Sequence, residues 1–259
     1  MITLLHCADL HLEACFAAEG QPPSAGRARR AGLRRALERV LALAVERHAD
    51  AVTIAGDLYE QEYAGPDTAA FLQQQFAAVA PMPVMIAPGG HDPLTEDSLY
   101  NLTRWPENVR IFPPGVLSRL DVGPELHLWG AAHPLAPDLD LRPDPLPEEG
   151  GVNLLLLHTL HPPDEAALRE AGFSLALLGG EHAGRAGAVL VYPGSSEPLT
   201  AAEVAEAHLA VWVTVEDSVC RVEAIPNSRV RQLELTVDLS GCGSQEDAAA
   251  LVGLMLRSQ

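Results

Sequence analysis

No lysine occurs anywhere in the 259 residues; all 17 basic positions are arginine, against 35 aspartates and glutamates. The formal charge of −18 excludes broad electrostatic attachment to nucleic acid, because neutralising phosphates needs local cations. The missing lysine itself reads as the coding bias of a GC-rich genome. None of the four cysteines, Cys7, Cys15, Cys220 and Cys242, stands in a CxxC pair. They read as reduced cytoplasmic thiols rather than a disulfide framework. The first residues lack the basic start and long apolar stretch of a signal peptide. Every apolar run falls far short of the ~20 residues of a membrane span. There is no internal repeat, and glycine and proline, 21 each, are not concentrated into low-complexity tracts. The expectation is a cytoplasmic chain that does not enter a membrane.

What is present is a chain 47% hydrophobic, long enough for one large α/β domain or one domain with an appendage. Residues 2–6 read as a strand. Residues 25–48 read as a helix, with Leu33, Leu37, Val40, Leu41 and Ala44 at helical spacing. Strands follow at 51–55 and 84–87, separated by a helix over 67–79 with Pro66 at its start. This β-loop-α alternation implies a largely parallel sheet. Shorter strands are expected at 109–112, 116–120, 125–130, 152–157, 175–178 and 188–192, with a helix at 164–171. A proline- and aspartate-rich loop fills 134–151. Three β runs are expected over 208–237 and a final helix over 244–257.

The chemistry sits where the strands end. Asp9-Leu10-His11, Gly56-Asp57, His91-Asp92, His158 and Gly179-Gly180-Glu181-His182 each follow an apolar run. A single histidine after a strand usually has a structural role. Five such loops, in a sheet of common polarity, converge on one edge. The Asp-x-His spacing puts both side chains on one face if that loop is extended. Mixed aspartate and histidine donors suit Mn²⁺, Fe²⁺ or Zn²⁺ and disfavour Ca²⁺ or a thiolate zinc site. Against the acidic trend, residues 27–47 hold seven of the arginines, Arg27, Arg29 and Arg30 among them. One reading is a solvated amphipathic helix; the other is a phosphate-facing patch beside the site.

The fragments "LLHCADLHLE" (4–13), "IAGDLYE" (54–60), "APGGHDP" (87–93), "LLLLHTLH" (154–161), "LLGGEH" (177–182) and "VYPGSSEPL" (191–199) occur in the order of a known pattern. They resemble the calcineurin-like metallophosphoesterases, and within them the SbcD/Mre11 branch of DNA-repair exonuclease subunits. The last fragment is the most specific to that branch. The resemblance covers residues 1 to about 200. It implies an α/β fold: a four-layer αββα metallophosphoesterase sandwich over residues 1–205, with a short C-terminal β/α extension over 206–259. It also implies one ion on Asp9, His11, Asp57 and His182, and a second ion sharing Asp57 and adding His158.

The remaining two ligands of that second ion fall on Gly90 and Gly180, which offer no side chain. One well-held divalent ion, manganese first and iron or zinc next, is therefore expected, with the second weak or absent. Glu181, His133 and His161 are candidate substitutes, each also readable as structural. If the 179–182 loop is extended, Glu181 points away from the site. The resemblance makes His91 the catalytic histidine, aiding the leaving oxygen or the charged transition state, with Asp92 as its orienter.

Two functions from different classes are open at this point. One is a metal-dependent phosphodiesterase of nuclease type. The other is a weakened or inactive relative serving as a binding or regulatory platform. A small-molecule phosphatase fits the quoted fragments less well. By resemblance the expected partners are DNA, through Arg27, Arg29 and Arg30, and an SbcC/Rad50-like ATPase; a second copy of the chain is a further candidate.

Overall fold

The computed structural model of the chain describes residues 1–16, 23–136, 139–141, 151–230 and 235–258. It opens with β1 (Ile2–Cys7), α1 (Pro23–Glu46), β2 (Ala51–Ile54), α2 (Pro66–Ala78) and β3 (Val84–Ile86). Next come α3 (Leu99–Leu102), β4 (Val109–Ile111), β5 (Pro114–Gly115), β6 (Ser118–Asp121), β7 (Leu126–Gly130) and β8 (Ala132–Leu135). The second half holds β9 (Val152–His158), α4 (Glu165–Glu170), β10 (Leu175–Gly179), β11 (Arg185–Ala186) and β12 (Leu190–Tyr192). A 3-10 turn at Ala201–Ala205, β13 (Leu209–Glu216), β14 (Val219–Pro226) and α5 (Gln245–Arg257) complete it.

Two six-stranded sheets carry the fold, in the orders β14-β13-β1-β2-β3-β4 and β11-β12-β10-β9-β7-β6. In the first, β1 to β4 run parallel, and β13 lies antiparallel to β1. In the second, β7, β9, β10 and β12 run parallel. Strands buried on both faces should read as continuous apolar runs, and they do. In β9, Leu154 and Leu156 enter the layer between the sheets, while Leu155 and Leu157 face outward with Leu168 of α4. In β1, Leu4 turns to the inter-sheet layer, whereas Leu5 and Cys7 meet Leu33, Leu37 and Val40 of α1. Three cores separated by two sheets make the helix–sheet–sheet–helix sandwich expected from the sequence.

Local signals account for several helix ends. Pro66 opens α2, where its missing N–H is no loss. The Asp164 side chain accepts from the backbone N–H of Ala166 and Ala167 at the start of α4, and Ser244 caps α5 through Asp247 N–H. Residues 209–226 supply two strands of the first sheet, and α5 buries none of its residues. The expected third β run after residue 226 has no counterpart among the described residues; its positions 231–234 lie outside them. Most of the 134–151 loop also lies outside the described residues.

Candidate metal centre

The parallel strands of both sheets deliver their C-terminal ends to one edge. β1 leads to Asp9 and His11, β2 to Asp57, β3 to His91 and Asp92, β9 ends at His158, and β10 leads to His182. Three overlapping groups result: Asp9, His11 and His182; Asp9, Asp57 and His158; and His11, Asp57 and His91. In each, the donor atoms lie within 4.8 Å of one another.

The first loop is not extended. Asp9, His11 and Asp57 sit at φ of 50°, 46° and 49°, in the left-handed region that non-glycine residues rarely adopt. Backbone bonds hold them there. Asp9 N–H donates to Gly56 O at 3.1 Å and His11 N–H to Asp57 O at 2.8 Å. The aspartate and histidine thus converge through two local reversals rather than through strand alternation.

The imidazole tautomers decide what the pocket can hold. His11 Nδ1 lies 2.7 Å from Glu60 Oε1, and His182 Nδ1 lies 3.3 Å from Glu203 Oε1. A carboxylate only accepts, so both Nδ1 atoms carry the proton and both Nε2 atoms keep a lone pair. Those two Nε2 atoms face each other at 3.2 Å, where neither neutral ring can donate to the other. His158 repeats the pattern: its Nδ1 donates to Ala55 O at 3.0 Å, and its Nε2 faces Asp57 Oδ2 at 3.3 Å. Lone pairs and carboxylates aimed at common points fit divalent cations, with carboxylates behind the ligating rings as is usual for such sites. Burial, and next the charge of Asp57, push the Asp9 carboxyl well above the usual carboxylate range. Burial draws the His158 imidazole below its ordinary value. A dication would relieve that carboxylate crowding.

Each group foreseen from the sequence has a definite place. Asp9, His11, Asp57 and His158 are buried, and the His182 side chain is one-third exposed. Asp9 also joins Asp57 and His158, so the second cluster has a donor that the resemblance did not assign to it. The third cluster is not independent, because His11 has only one free nitrogen and that one is turned to His182. The His91 side chain is 56% exposed, open to an incoming substrate, and its Nδ1 donates to Glu60 Oε2 at 2.8 Å. Burial works to lower the His91 imidazole, but the Glu60 hydrogen bond and the nearby carboxylates carry it above its ordinary value.

Asp92 has a different role from the expected one. Its buried carboxylate accepts from the N–H groups of Asp57 (2.9 Å), Leu58 (2.8 Å) and Gly89 (2.6 Å), and from Tyr100 OH (2.6 Å). It therefore clamps the two ligand loops together and leaves the His91 ring to Glu60. Burial and the neighbouring Asp57 hold its carboxyl at about 7. Gly89 allows this close approach, since a Cβ there would press on Asp57 and the His158 ring.

The glycines at the two vacant ligand positions differ. At Gly90 a side chain would meet nothing within 4 Å. Gly180 has φ +106°, and its N–H donates to both Asp9 carboxylate oxygens at 3.1 Å. The three candidate substitutes join no donor cluster among the described residues. Glu181 pairs with Arg185, His133 Nε2 donates to His158 O, and His161 is exposed.

Of the three arginines expected to meet nucleic acid, Arg29 is committed internally: its guanidinium donates to Pro198 O at 2.6 Å and lies over the Phe16 ring. Arg34 pairs with Glu13 and Asp67, and Arg39 with Glu197. Arg27 and Arg30 have no ion-pair partner among the described residues. Sequence reasoning missed Glu60 and Glu203, the carboxylates behind the histidines. Glu60 lay inside a quoted fragment, three residues after Asp57; Glu203 carried no spacing signal.

A family model described as calcineurin-like phosphoesterase matches residues 2–184. The chain belongs to the calcineurin-like phosphoesterase family. Its members' chemistry is phosphoester hydrolysis with divalent metals. A curated relative, the uncharacterized metallophosphoesterase YhaO of Bacillus subtilis (strain 168), is 30% identical over 118 residues, covering 44% of this chain. The match spans only 28% of that relative's length. A solved structure, TT1561 of Thermus thermophilus, matches at 17% identity and a TM-score of 0.48, over 75% of this chain and 89% of its own. YfcE, a phosphoesterase from E. coli, matches at 15% identity and a TM-score of 0.39, over 88% of this chain and 100% of its own. Another solved chain, 11% identical over 87% of this chain and 99% of its own, reaches 0.51 and shares the fold. Among the described residues no helix is long and apolar enough to cross a membrane.

Proposed function

We propose that this chain is a metal-dependent phosphodiesterase of nuclease type, related to the SbcD/Mre11 DNA-repair exonucleases. The observation that carries the metal reading is the pair of imidazole Nε2 lone pairs, 3.2 Å apart, each fixed by a carboxylate behind it. Asp9, His11, Asp57 and His182 hold one divalent ion, manganese first among the candidates. Asp9, Asp57 and His158 hold a second only weakly, because Gly90 and Gly180 add no donor. A bound ion supplies Lewis acidity toward a phosphoryl oxygen and an activated water. His91, exposed and held at Nδ1–H by Glu60, turns its other nitrogen to the substrate and, as the imidazolium with Nε2 protonated too, steadies or protonates the departing oxygen. Asp92 keeps the Asp57 and Gly89 loops in register.

In this reading residues 1–205 carry the chemistry and 206–259 extend the core. DNA meets the exposed Arg27 and the half-buried Arg30 of α1, the work is cytoplasmic, and an SbcC/Rad50-like ATPase or a second copy is the protein partner. A specific observation favours a second reading, a binding or regulatory platform: Gly180 N–H occupies the Asp9 carboxylate where the resemblance expects a histidine ligand nearby. One experiment separates the two. Metal content is measured alongside hydrolysis of a nitrophenyl phosphodiester by wild type and His91→Ala. The phosphodiesterase reading expects about one tightly held ion and turnover that falls roughly 10²-fold or more in His91→Ala with the ion retained. Turnover indifferent to His91→Ala in clean preparations would establish the platform reading.

A further inference from the structure

Glu60 makes two hydrogen bonds that no single-histidine role explains. Its Oε1 accepts from His11 Nδ1 at 2.7 Å and its Oε2 from His91 Nδ1 at 2.8 Å. The two rings stand edge to face across it, 4.9 Å between centroids at 80°. One ring belongs to the metal centre and the other to the proposed chemistry. The backbone holds the carboxylate between them: Glu60 N–H donates to Leu12 O, next to His11, and Gln61 N–H donates to His91 O.

We propose that Glu60 is a shared positioning residue that locks both histidines in the Nδ1–H tautomer, so that metal capture by His11 and the placement of His91 depend on one side chain. The proposal rests on the metal-centre reading above. Its physical content is a counting constraint. A carboxylate can accept from two N–H groups at once. An amide of the same shape accepts at one end and donates at the other. Glu60→Gln must therefore turn one ring to the Nε2–H form. If that ring is His11, its metal-facing lone pair is lost. If it is His91, the nitrogen facing the substrate changes character while the metal is untouched.

The test uses ¹⁵N-labelled full chain without metal, with ring nitrogens read by long-range ¹H–¹⁵N correlation at pH 9. Zn²⁺ affinity is then measured by calorimetry. In wild type both rings should show Nδ1–H. In Glu60→Gln one ring should flip. A His11 flip should weaken Zn²⁺ at least tenfold, within the range for lost support behind a metal ligand. A His91 flip should leave Zn²⁺ affinity unchanged and lower kcat with KM unchanged. Glu60→Ala, which offers neither role, should leave both rings mixing tautomers and serves if the Gln variant folds poorly. Unchanged tautomers in both rings of Glu60→Gln, or of Glu60→Ala where that variant is used, would overturn the proposal, as would a wild type in which the two rings do not share the Nδ1–H form. Because the tautomers are read without metal or substrate, a flip in an inactive protein would count against the phosphodiesterase reading and not against this one.

Discussion

Gly90→Asn and Gly180→His would both return a donor to the second ion, yet the structure expects them to behave oppositely. At Gly90 an added side chain meets open space and φ is not left-handed. Removing a glycine there restricts the unfolded chain, so stability should hold or rise by about 0.4–1 kcal/mol. At Gly180 a Cβ would come within 2.8 Å of Thr159 O and 3.0 Å of its carbonyl carbon, on a backbone at φ +106°. The left-handed conformation alone costs on the order of 1–3 kcal/mol for a side-chain-bearing residue. Relief of the clash would also disturb the Gly180 N–H bonds to Asp9. A net loss of about 2–4 kcal/mol corresponds to a fall in Tm of roughly 4–16 °C, at 2–4 °C per kcal/mol for a chain near this size. Thermal unfolding of the metal-free single and double variants, with metal counts on each, reads both effects. Gly90→Asn should melt at the wild-type Tm or slightly above it and tighten the second ion modestly. A Gly180→His protein that melts with the wild type and holds two ions would refute the reasoning, because the backbone would then have room for the histidine.

Two further outcomes test other parts of the molecule. Arg27→Ala with Arg30→Ala should flatten the dependence of log K on log salt for single-stranded DNA by about 1.4, at ~0.7 per phosphate contact, and leave a nitrophenyl ester's hydrolysis unchanged; an unaltered slope in a binding assay would return α1 to an ordinary solvated face. His6 of β1 is buried, its ring bonded to Thr53 of β2 and near Leu178 O of β10, and burial draws its imidazole down to about 4. Because the folded value lies below the unfolded one, its share of stability is complete above about pH 6.5 and lost as pH falls toward 4, by up to about 3 kcal/mol; urea unfolding from pH 7 to 4.5 should show that slope in wild type, and an equal slope in His6→Gln would remove His6 as its source.

The elements long enough to show a period were legible in the sequence. α1 buries Leu33, Leu37, Val40, Leu41 and Ala44, the residues whose spacing marked it. Pieces such as α3, β5 and β11, of two to four residues, carry no period and went unseen. The convergence of the candidate ligand residues on one edge was legible because they follow apolar runs of common polarity. Their local geometry was not. The Asp-x-His loop suggested an extended arrangement, and φ of 50° and 46° replaced it, since that geometry depends on contacts to Gly56 and Asp57, some 46 residues away. Asp92 illustrates the same limit. Its neighbour in sequence is His91, but its carboxylate is satisfied by three backbone N–H groups and a tyrosine that only the folded chain assembles.

That assembly explains why a carboxylate beside the metal centre can serve no metal at all. Three residues held left-handed, Asp9, His11 and Asp57, cost on the order of 1–3 kcal/mol each, and such strain survives only where surrounding bonds over-determine it. Asp92 ties Asp57 and Leu58 to Gly89 from behind, the Leu12–Tyr59 bridge joins the first loop to the second, and Gly180 N–H steadies Asp9 from the opposite sheet. The candidate ligands are thus placed by the backbone network alone. Preplacement of this kind acts unequally on the two clusters. Around His11 and His182 it aims two lone pairs, each backed by a carboxylate, at one point. Around His158 it offers one lone pair and two shared aspartates, and leaves the positions of Gly90 and Gly180 to solvent and to a backbone N–H. The imbalance between the clusters therefore follows from the loops' geometry as well as from the two missing side chains, and restoring the side chains alone would correct only part of it.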